Sequence, residues 1–291
     1  MKTTLGLPIL AGAALISFMP LHEQRPGMTT HSGLASEGRR DSAVVRLTVV
    51  YDNNPLIPGL QTAWGFSCFV ELGGSGVLFD TGGEGDILLA NMAKLKIAPA
   101  NVDKVVISHV HMDHLGGLSD FLQKNSRPTV CVPATFPPAV CRDIQAVGAT
   151  LIRASSHEEL GPRVFTVGIF GGSIPEQALV LRTGRGLVVM TGCAHPGVVN
   201  LVRGAKSNFP NEQVYLVIGG FHLRGMQSSE IITVIESLKG LGVQKVAPCH
   251  CSGDAARALF KKAYGDNYIE VGVGAKIDIP LSVVESTQEE R

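Results

Sequence analysis

Histidines grouped with a carboxylate are the residues of this chain best suited to chemistry. His109 and His111 are separated by one residue just after a short apolar segment, so both imidazoles can turn toward one metal ion. Asp113 and His114 follow directly and can face a neighbouring ion. Two ions about 3.5 to 4 Å apart clamp the attacking and leaving groups of a displacement reaction. The spacing therefore predicts a metal centre with two divalent ions.

Three further histidines, His195, His222 and His250, each follow a predicted strand. Open sheets place ligand sites at the carboxyl ends of strands, where loops converge and the strands hold them rigid. His195 and His250 are predicted as metal ligands, with a buried histidine that only satisfies the core as the alternative. For His222 three roles stay open: metal ligand, hydrogen-bond partner of the substrate, or donor to another ligand.

Two further polar residues have assigned roles. Asp80 follows the strand predicted at 76–79 and is expected to accept hydrogen bonds from the ligand loop rather than to bind metal. Arg224, two residues after His222, is the candidate clamp for a phosphate or carboxylate of the substrate. Arg182 and Arg185 could take that role or be solvated charges. Surface positions are expected for His22, His31 and His157.

The six cysteines show no regular spacing of the kind that indicates a disulfide framework. Cys249 and Cys251 flank His250, but one Cys-x-Cys without a second pair is a weak signal for structural zinc. The thiols are therefore expected to act as small apolar packing groups. This expectation covers Cys68, Cys131, Cys141, Cys193, Cys249 and Cys251.

Strand-like and helix-like segments alternate along the chain and must position these residues. Strands are predicted at 43–51, 66–71, 76–79, 105–108, 129–132, 164–167, 178–182, 186–190, 214–218 and 245–247. Helices are predicted at 86–96, 138–147, 198–206, 229–241 and 254–264. Strands and helices in two successive sets predict an α/β (α+β) protein, a four-layer αββα sandwich of two mixed β-sheets with outer helices.

Length and composition fit one large domain, expected at 43–280 and followed by a polar tail at 281–291. Lys+Arg and Asp+Glu are both 25, so no net field recruits nucleic acid or an anionic membrane. Residues 1–42 are expected to form a signal peptide and a flexible lead-in, because residues 4–21 are apolar. Export to the periplasm would then leave no stable membrane span after processing. Initiation at Met28 would instead leave a cytoplasmic protein, and both interpretations stay open.

These motifs resemble the metallo-β-lactamase superfamily, whose His-x-His-x-Asp-His pattern is matched throughout by residues 109–114. More narrowly, the chain resembles the branch named after 7,8-dihydropterin-6-methyl-4-(β-D-ribofuranosyl)aminobenzene 5'-phosphate synthase. The segments that carry this resemblance are 64–67, 79–82, 106–118, 191–200, 218–223 and 247–253. They occur in the expected order over about residues 45–275.

The resemblance implies an αββα fold with the metal ions at one edge. It assigns His109, His111 and His195 to one ion, and Asp113, His114 and His250 to the other. Zinc is the expected metal, with iron or manganese as alternatives. Most hydrolases of the superfamily supply a bridging Asp where this chain has His222, and histidine bridges two ions poorly.

The expected function is that of a metal-dependent hydrolase or transferase. It would use a metal-bound hydroxide, oriented by Asp113, on a small anionic or heterocyclic, pterin-like substrate. The alternatives are a β-lactamase or a thioester (glyoxalase II-like) hydrolase, and a non-catalytic metal-binding sensor. Nuclease branches of the superfamily carry recognition domains and basic surfaces, which this neutral chain lacks.

Overall fold

Two mixed β-sheets organise the computed structural model, which describes residues 44–282. The first sheet consists of β1 (Val44–Asp52), β2 (Phe66–Leu72), β3 (Ser75–Phe79), β4 (Lys104–Val106), β5 (Thr129–Pro133), β6 (Thr150–Ala154) and β13 (Lys276–Pro280). Its strand order is β13-β1-β2-β3-β4-β5-β6. The pairs from β13 to β3 are antiparallel, and those from β3 to β6 are parallel.

The second sheet carries three of the predicted ligand loops. It consists of β7 (Glu159–Gly161), β8 (Val164–Thr166), β9 (Leu179–Thr183), β10 (Gly186–Thr191), β11 (Val214–Gly220) and β12 (Lys245–Cys249). The order is β12-β11-β10-β9-β8-β7, in which β10, β11 and β12 are parallel and the remaining pairs are antiparallel. The parallel strands β10 and β11 are almost wholly buried, as expected for strands covered on both faces.

Within residues 44–282, seven α-helices connect the strands. They are α1 (Gly85–Lys94), α2 (Met112–Leu115), α3 (Leu118–Lys124), α4 (Pro138–Ala146), α5 (Val198–Asn208), α6 (Ser228–Gly240) and α7 (Asp254–Tyr264). Short 3-10 turns cover Pro99–Asn101, His250–Ser252 and Gly265–Asn267. Helix α6 shows why such segments are helical: a capping box joins Gln227 and Glu230, and Ile231, Ile235 and Leu238 recur on one buried face.

Three apolar clusters define the layers. One joins residues of both sheets, including Phe66, Leu179 and Met190, and fills the space between them. A second packs α1, α3 and α4 on the first sheet, and a third packs α5, α6 and α7 on the other. Helices on both outer faces give four layers, so the predicted αββα sandwich of two mixed sheets is confirmed.

Some elements differ from the prediction. Strands β6, β7 and β13 and the short helix α3 lie where no element was predicted. Strand β13 returns from the far end of the chain to pair with β1, so the sheets are not built from two wholly successive halves. The predicted lead-in at 1–42 and most of the predicted tail lie outside the described residues. Within 44–282, no helix is long and apolar enough to span a membrane.

Candidate metal centre

Four loops bring the predicted ligands together. The first leaves β4 and carries residues 109–114 to the start of α2. The other three leave β10, β11 and β12 and carry His195, His222 and His250. Because these three strands are parallel neighbours, their carboxyl ends meet at one edge of the sheet, which is why the three loops converge.

The backbone is locally strained in the three loops that leave β10, β11 and β12 and at Asp80, directly after β3. Asp80, Ala194, His222 and His250 have φ values of 56°, 59°, 53° and 46°. They are four of the six non-glycine residues with positive φ among residues 44–282. This conformation costs a residue with a Cβ roughly 1–2 kcal/mol, and proteins retain such strain mainly at functional sites. The backbone therefore marks the same edge as the histidines do.

His109, His111 and His195 form one group. Their ring centroids make a triangle with sides of 4.8 Å, and the Nε2 atoms of His109 and His195 are 3.3 Å apart. Burial, and then the neighbouring imidazoles, lower the pKa of His109 and bring the pKa of His195 to about 4. Both rings are therefore neutral at neutral pH and offer lone pairs.

Asp113, His114 and His250 form the second group. The Nε2 atoms of His114 and His250 are 3.2 Å apart, and Oδ2 of Asp113 lies 3.3 Å from Nε2 of His250. Burial raises the pKa of Asp113, but its hydrogen bond with His250 and the charges of both histidines outweigh burial and hold the pKa well below its usual range. The Asp113 carboxylate is thus ionised at neutral pH.

Three contacts, two of them buried and one partly buried, fix the ring orientations of three of these histidines. Nδ1 of His114 pairs with Asp80 Oδ2 at 2.7 Å, Nδ1 of His109 with Ser108 Oγ at 2.8 Å, and Nδ1 of His250 with Asn53 Oδ1 at 3.0 Å. In each ring the Nδ1 atom is occupied, and Nε2 points at the other histidines. Such contacts select the tautomer and orient metal-binding histidines. Asp80 contacts the ligand loop through Ser108 and His114, and the expectation that it does not itself bind metal stays a prediction.

The spacing of the Nε2 atoms fits a divalent metal ion. Two unprotonated ring nitrogens repel at 3.2 to 3.3 Å unless a proton or a cation lies between them. Nitrogens bound about 2.0–2.1 Å from a tetrahedral zinc ion lie about 3.3 Å from each other. The residues present therefore match the donor set and the separations that a tetrahedral ion requires.

A buried carboxylate that the sequence analysis did not single out shapes the loop after β10. Glu176 accepts the backbone N–H groups of Cys193, Ala194 and His195 at 2.9, 2.8 and 2.8 Å. Burial raises the pKa of Glu176 to about 7, although these three donors favour its ionised form. Glu176 lies between Pro175 and Gln177, and no local pattern distinguishes it from a surface residue.

Two of the cysteines lie at the centre and do more than pack. Cys193 Sγ is 3.2 Å from His114 Nε2 and 3.4 Å from His250 Nε2. Cys251 Sγ approaches the Cys193 carbonyl oxygen at 3.6 Å and forms a hydrogen bond with His222. The expectation that the thiols only fill apolar space was wrong for these two. The other four, Cys68, Cys131, Cys141 and Cys249, are buried within the apolar clusters.

His222 lies at the rim of the centre. Its side chain is exposed, and its ring centroid is 4.4 Å from that of His195. The set of potential ligand atoms that includes His222 also contains Cys193 and Cys251, but none of residues 109–114. The set of His222 therefore differs from the two groups described above, since it contains cysteines in place of residues 109–114. Metal binding by His222 stays a prediction.

A cleft of about 570 Å³ opens beside His250. The Trp64 ring lies 4.7 Å from the ring of His250, and the Arg224 guanidinium lies 5.1 Å from the centroid of the same indole. Within residues 44–282, no carboxylate forms an ion pair with Arg224, whereas Arg182 pairs with Glu212 at 2.5 Å. Arg224 thus offers a cation at the mouth of the centre.

The histidine-rich segment 109–114 lies in a region that matches a known family model. The model describes the metallo-β-lactamase superfamily and matches residues 65–140, which include β2 to β5 and the whole of 109–114. A solved structure described as Tm1679, a metal-dependent hydrolase of the β-lactamase superfamily, is 29% identical with a TM-score of 0.68. The alignment covers 81% of this chain and 99% of that one. The chain has the metallo-β-lactamase fold.

Two further proteins with similarity to this chain were found. A protein of Methanocaldococcus jannaschii described as 7,8-dihydropterin-6-methyl-4-(β-D-ribofuranosyl)-aminobenzene-5'-phosphate synthase is 26% identical over 258 residues, which cover 72% of this chain and 88% of that protein. The metallo-β-lactamase fold protein YhfI of Bacillus subtilis is 15% identical, with a TM-score of 0.59 over 81% of this chain and 99% of that one, and shows the fold alone. The predicted resemblance is confirmed, and the metallo-β-lactamase fold implies binding of divalent metal ions.

Proposed function

We propose that this chain is a metal-dependent hydrolase or transferase that acts on a small anionic or heterocyclic, pterin-like substrate. The observation that carries the proposal is the convergence of five imidazoles and one carboxylate at the carboxyl ends of β4, β10 and β12. Nδ1 partners turn the Nε2 atoms of three of them, His109, His114 and His250, inward, as metal-binding sites require.

Two sets of residues would hold the metal ions. His109, His111 and His195 would bind one, and Asp113, His114 and His250 would bind the other. Histidine nitrogen together with carboxylate oxygen suits zinc, and iron or manganese also accept such a set. Bound there, a divalent ion supplies Lewis-acid chemistry, which polarises a substrate oxygen and lowers the pKa of water toward neutrality.

Asp113 is the residue to which we assign an orienting role. It is ionised at neutral pH, and its side chain keeps about a fifth of its surface exposed, whereas that of His250 is fully buried. A carboxylate at this boundary can accept a hydrogen bond from an attacking group and orient it toward the substrate. The same carboxylate would thus serve the metal centre and the reaction.

Trp64 and Arg224 support the choice of substrate class. The exposed indole offers a flat surface on which a heterocyclic ring can stack, and the unpaired guanidinium offers two parallel donors for a phosphate or carboxylate. The name of the Methanocaldococcus relative, a pterin-linked phosphate synthase, agrees with a substrate that combines a ring with an anion. At 26% identity, that likeness supports the substrate class but does not identify a particular substrate.

The direct test combines metal analysis with turnover assays. The full chain should bind divalent metal and act on a panel of phosphorylated pterin-like compounds, phosphodiesters, esters, thioesters and lactams. His111→Ala and Asp113→Ala should lose turnover by at least about 100-fold while they stay folded by circular dichroism. His157→Ala is the matched control, because His157 is exposed and stacks on Phe165 away from the centre.

Two outcomes would contradict the proposal. A protein that binds zinc tightly yet turns over no member of the panel would favour the metal-binding sensor. Equal activity of His111→Ala, Asp113→Ala and the unmodified chain would remove the predicted centre from the reaction altogether. Turnover confined to lactams or thioesters would instead assign the chain to the β-lactamase or glyoxalase II-like alternative.

A further inference from the structure

Cys193 lies within reach of both groups of predicted ligands. Its Sγ atom lies within 4.8 Å of the ligand atoms of Asp113, His114 and His250 in one set, and of His109 and His195 in another. Among the residues that the structure describes, Cys193 and Asp113 each belong to a set with His114 and His250 and to a set with His109, and of the two only Cys193 is also grouped with His195. A donor that reaches both sets has the position of a bridging ligand.

The individual separations agree with a shared metal ion. A sulfur about 2.3 Å and a nitrogen about 2.0–2.1 Å from one tetrahedral zinc ion lie about 3.6 Å apart. Cys193 Sγ lies 3.2 Å from His114 Nε2 and 3.4 Å from His250 Nε2, slightly inside that value. A small outward movement of the thiol on metal binding would complete the geometry.

The loop that carries Cys193 is held firmly. Its N–H donates to Glu176, and Gly192 before it packs so closely that an added Cβ would lie 2.1 Å from Ser108 Oγ. Ser108 in turn donates to Asp80 and contacts His109. The thiol is therefore positioned by the same buried network that orients the ligands of the other loop.

We propose that Cys193 binds as a thiolate shared by the two metal ions. It would take the bridging role of the Asp that most hydrolases of the superfamily have where this chain has His222. The inference rests on the proposed function, since it requires metal at this centre. The thiol loses its S–H proton to solvent as metal enters, so that the bound sulfur carries one negative charge. A soft sulfur donor favours zinc or iron over manganese at this centre.

X-ray absorption at the zinc edge tests this ligand directly and needs no substrate. The full chain, loaded with two equivalents of zinc, should show a sulfur shell at about 2.3 Å in addition to nitrogen and oxygen at about 2.0–2.1 Å. A shared thiolate gives one sulfur per zinc. Cys193→Ser should lose the shell, whereas Cys251→Ser should keep it. Cys141→Ser, on helix α4, is the matched control and should also keep it.

Each remaining outcome decides the inference. A spectrum of the zinc-loaded chain without sulfur overturns it and leaves the proposed function standing. An average of half a sulfur per zinc would show that the thiolate binds only one of the two ions, and this overturns the proposed bridge. A sulfur shell that disappears in Cys251→Ser but persists in Cys193→Ser would assign the ligand to Cys251 and overturns the proposal as well. If Cys193→Ser does not fold, the unmodified and Cys251→Ser spectra still decide. Failure of the full chain to bind zinc, iron or manganese would refute the proposed function itself.

Discussion

The carboxylate of Asp80 and the imidazole of His114 form a wholly buried pair, with 2.7 Å between Oδ2 and Nδ1. The same carboxylate accepts the backbone N–H and the Oγ–H of Ser108 at 2.6 and 2.7 Å, and Ser108 Oγ contacts His109. One side chain at the end of β3 therefore orients a histidine from each of the two groups of predicted metal ligands.

Replacement of this carboxylate should weaken metal binding without removing a ligand. Asp80→Asn keeps the volume but loses the charge and one acceptor oxygen, so zinc affinity should fall by about 10- to 100-fold. Competition with a chromophoric chelator measures this affinity. Asp266→Asn is the control, because Asp266 is exposed and distant in the fold from the ligand loops. Equal affinities of the two variants would show that the buried pair is dispensable.

Glu176 should be required for stability as well as for the site. Glu176→Ala removes the acceptor of two buried N–H groups and a partly buried third. A buried N–H group costs roughly 1–3 kcal/mol when unpaired, so the free energy of unfolding should fall by at least about 2 kcal/mol. Glu176→Gln keeps one acceptor oxygen and should lose less. Urea denaturation measures both variants, with the exposed Glu159→Ala as control. A loss no larger than that of the control would contradict the prediction.

The close backbone approach at Gly219, near the end of β11, makes a steric prediction. Gly219 has φ +124°, and a Cβ there would lie 2.0 Å from the carbonyl oxygen of Thr191. Gly219→Ala combines this overlap with backbone strain and should cost about 3 kcal/mol or more. Gly242 also has positive φ, +80°, but open space around it. Thermal unfolding should therefore show a loss of only about 1 kcal/mol for Gly242→Ala, and similar losses for both variants would refute the overlap.

Tyr264 provides a pH prediction away from the metal centre. Burial raises the pKa of Tyr264 from 10.0 to about 12, so the folded state keeps a proton that the unfolded state releases in this range. Folding stability should then fall as pH rises from 10 toward 12. Its hydroxyl has no hydrogen-bond partner in the described part of the chain, so Tyr264→Phe should be unchanged or more stable by up to about 1 kcal/mol at neutral pH.

Urea unfolding of the unmodified chain and of Tyr264→Phe, measured between neutral pH and pH 11, checks the direction of this pH dependence. The unmodified chain should lose more stability at high pH than Tyr264→Phe, and the difference curve isolates this residue from other groups that titrate there. Parallel curves would show that the buried phenol does not titrate differently in the folded state.

Arg224 should affect substrate binding more than the chemical step. A charge-assisted hydrogen bond contributes roughly 1.5–3 kcal/mol, so Arg224→Gln should raise KM for an anionic substrate by about 10- to 100-fold. A group that binds ground state and transition state equally leaves kcat nearly unchanged. Arg185→Gln is the control, because its guanidinium lies over Tyr215 instead. A fall in kcat at constant KM would place Arg224 in the reaction rather than in binding.

The sequence predicts those parts of the molecule that are encoded locally. Residues 109–114 carry their spacing in one short segment, and the apolar β10 and β11 are visible as β-branched runs before His195 and His222. The fold class follows from the alternation of such segments. In these cases a residue's neighbours in the chain are also the neighbours that decide its conformation.

Features decided by distant contacts were missed. Strand β13 is a short, partly exposed segment whose extended state depends on pairing with β1. Helix α3 follows Gly116 and Gly117, which as helix-breaking residues concealed its start. Cys193 stands two residues before His195, a spacing that could have suggested a ligand, but its approach to His250 depends on two loops that only the fold brings together.

The pairing of β1 with β13 has a consequence for synthesis of the protein. In the register Val44↔Pro280 to Thr48↔Lys276, the first strand of the described residues 44–282 pairs along one edge with the last of them. Until β13 has been synthesised, β1 lacks its partner on that edge, and an open strand edge is the kind of surface that recruits other extended chains. A nascent or truncated chain that ends before β13 should therefore depend on chaperones far more than the finished domain does.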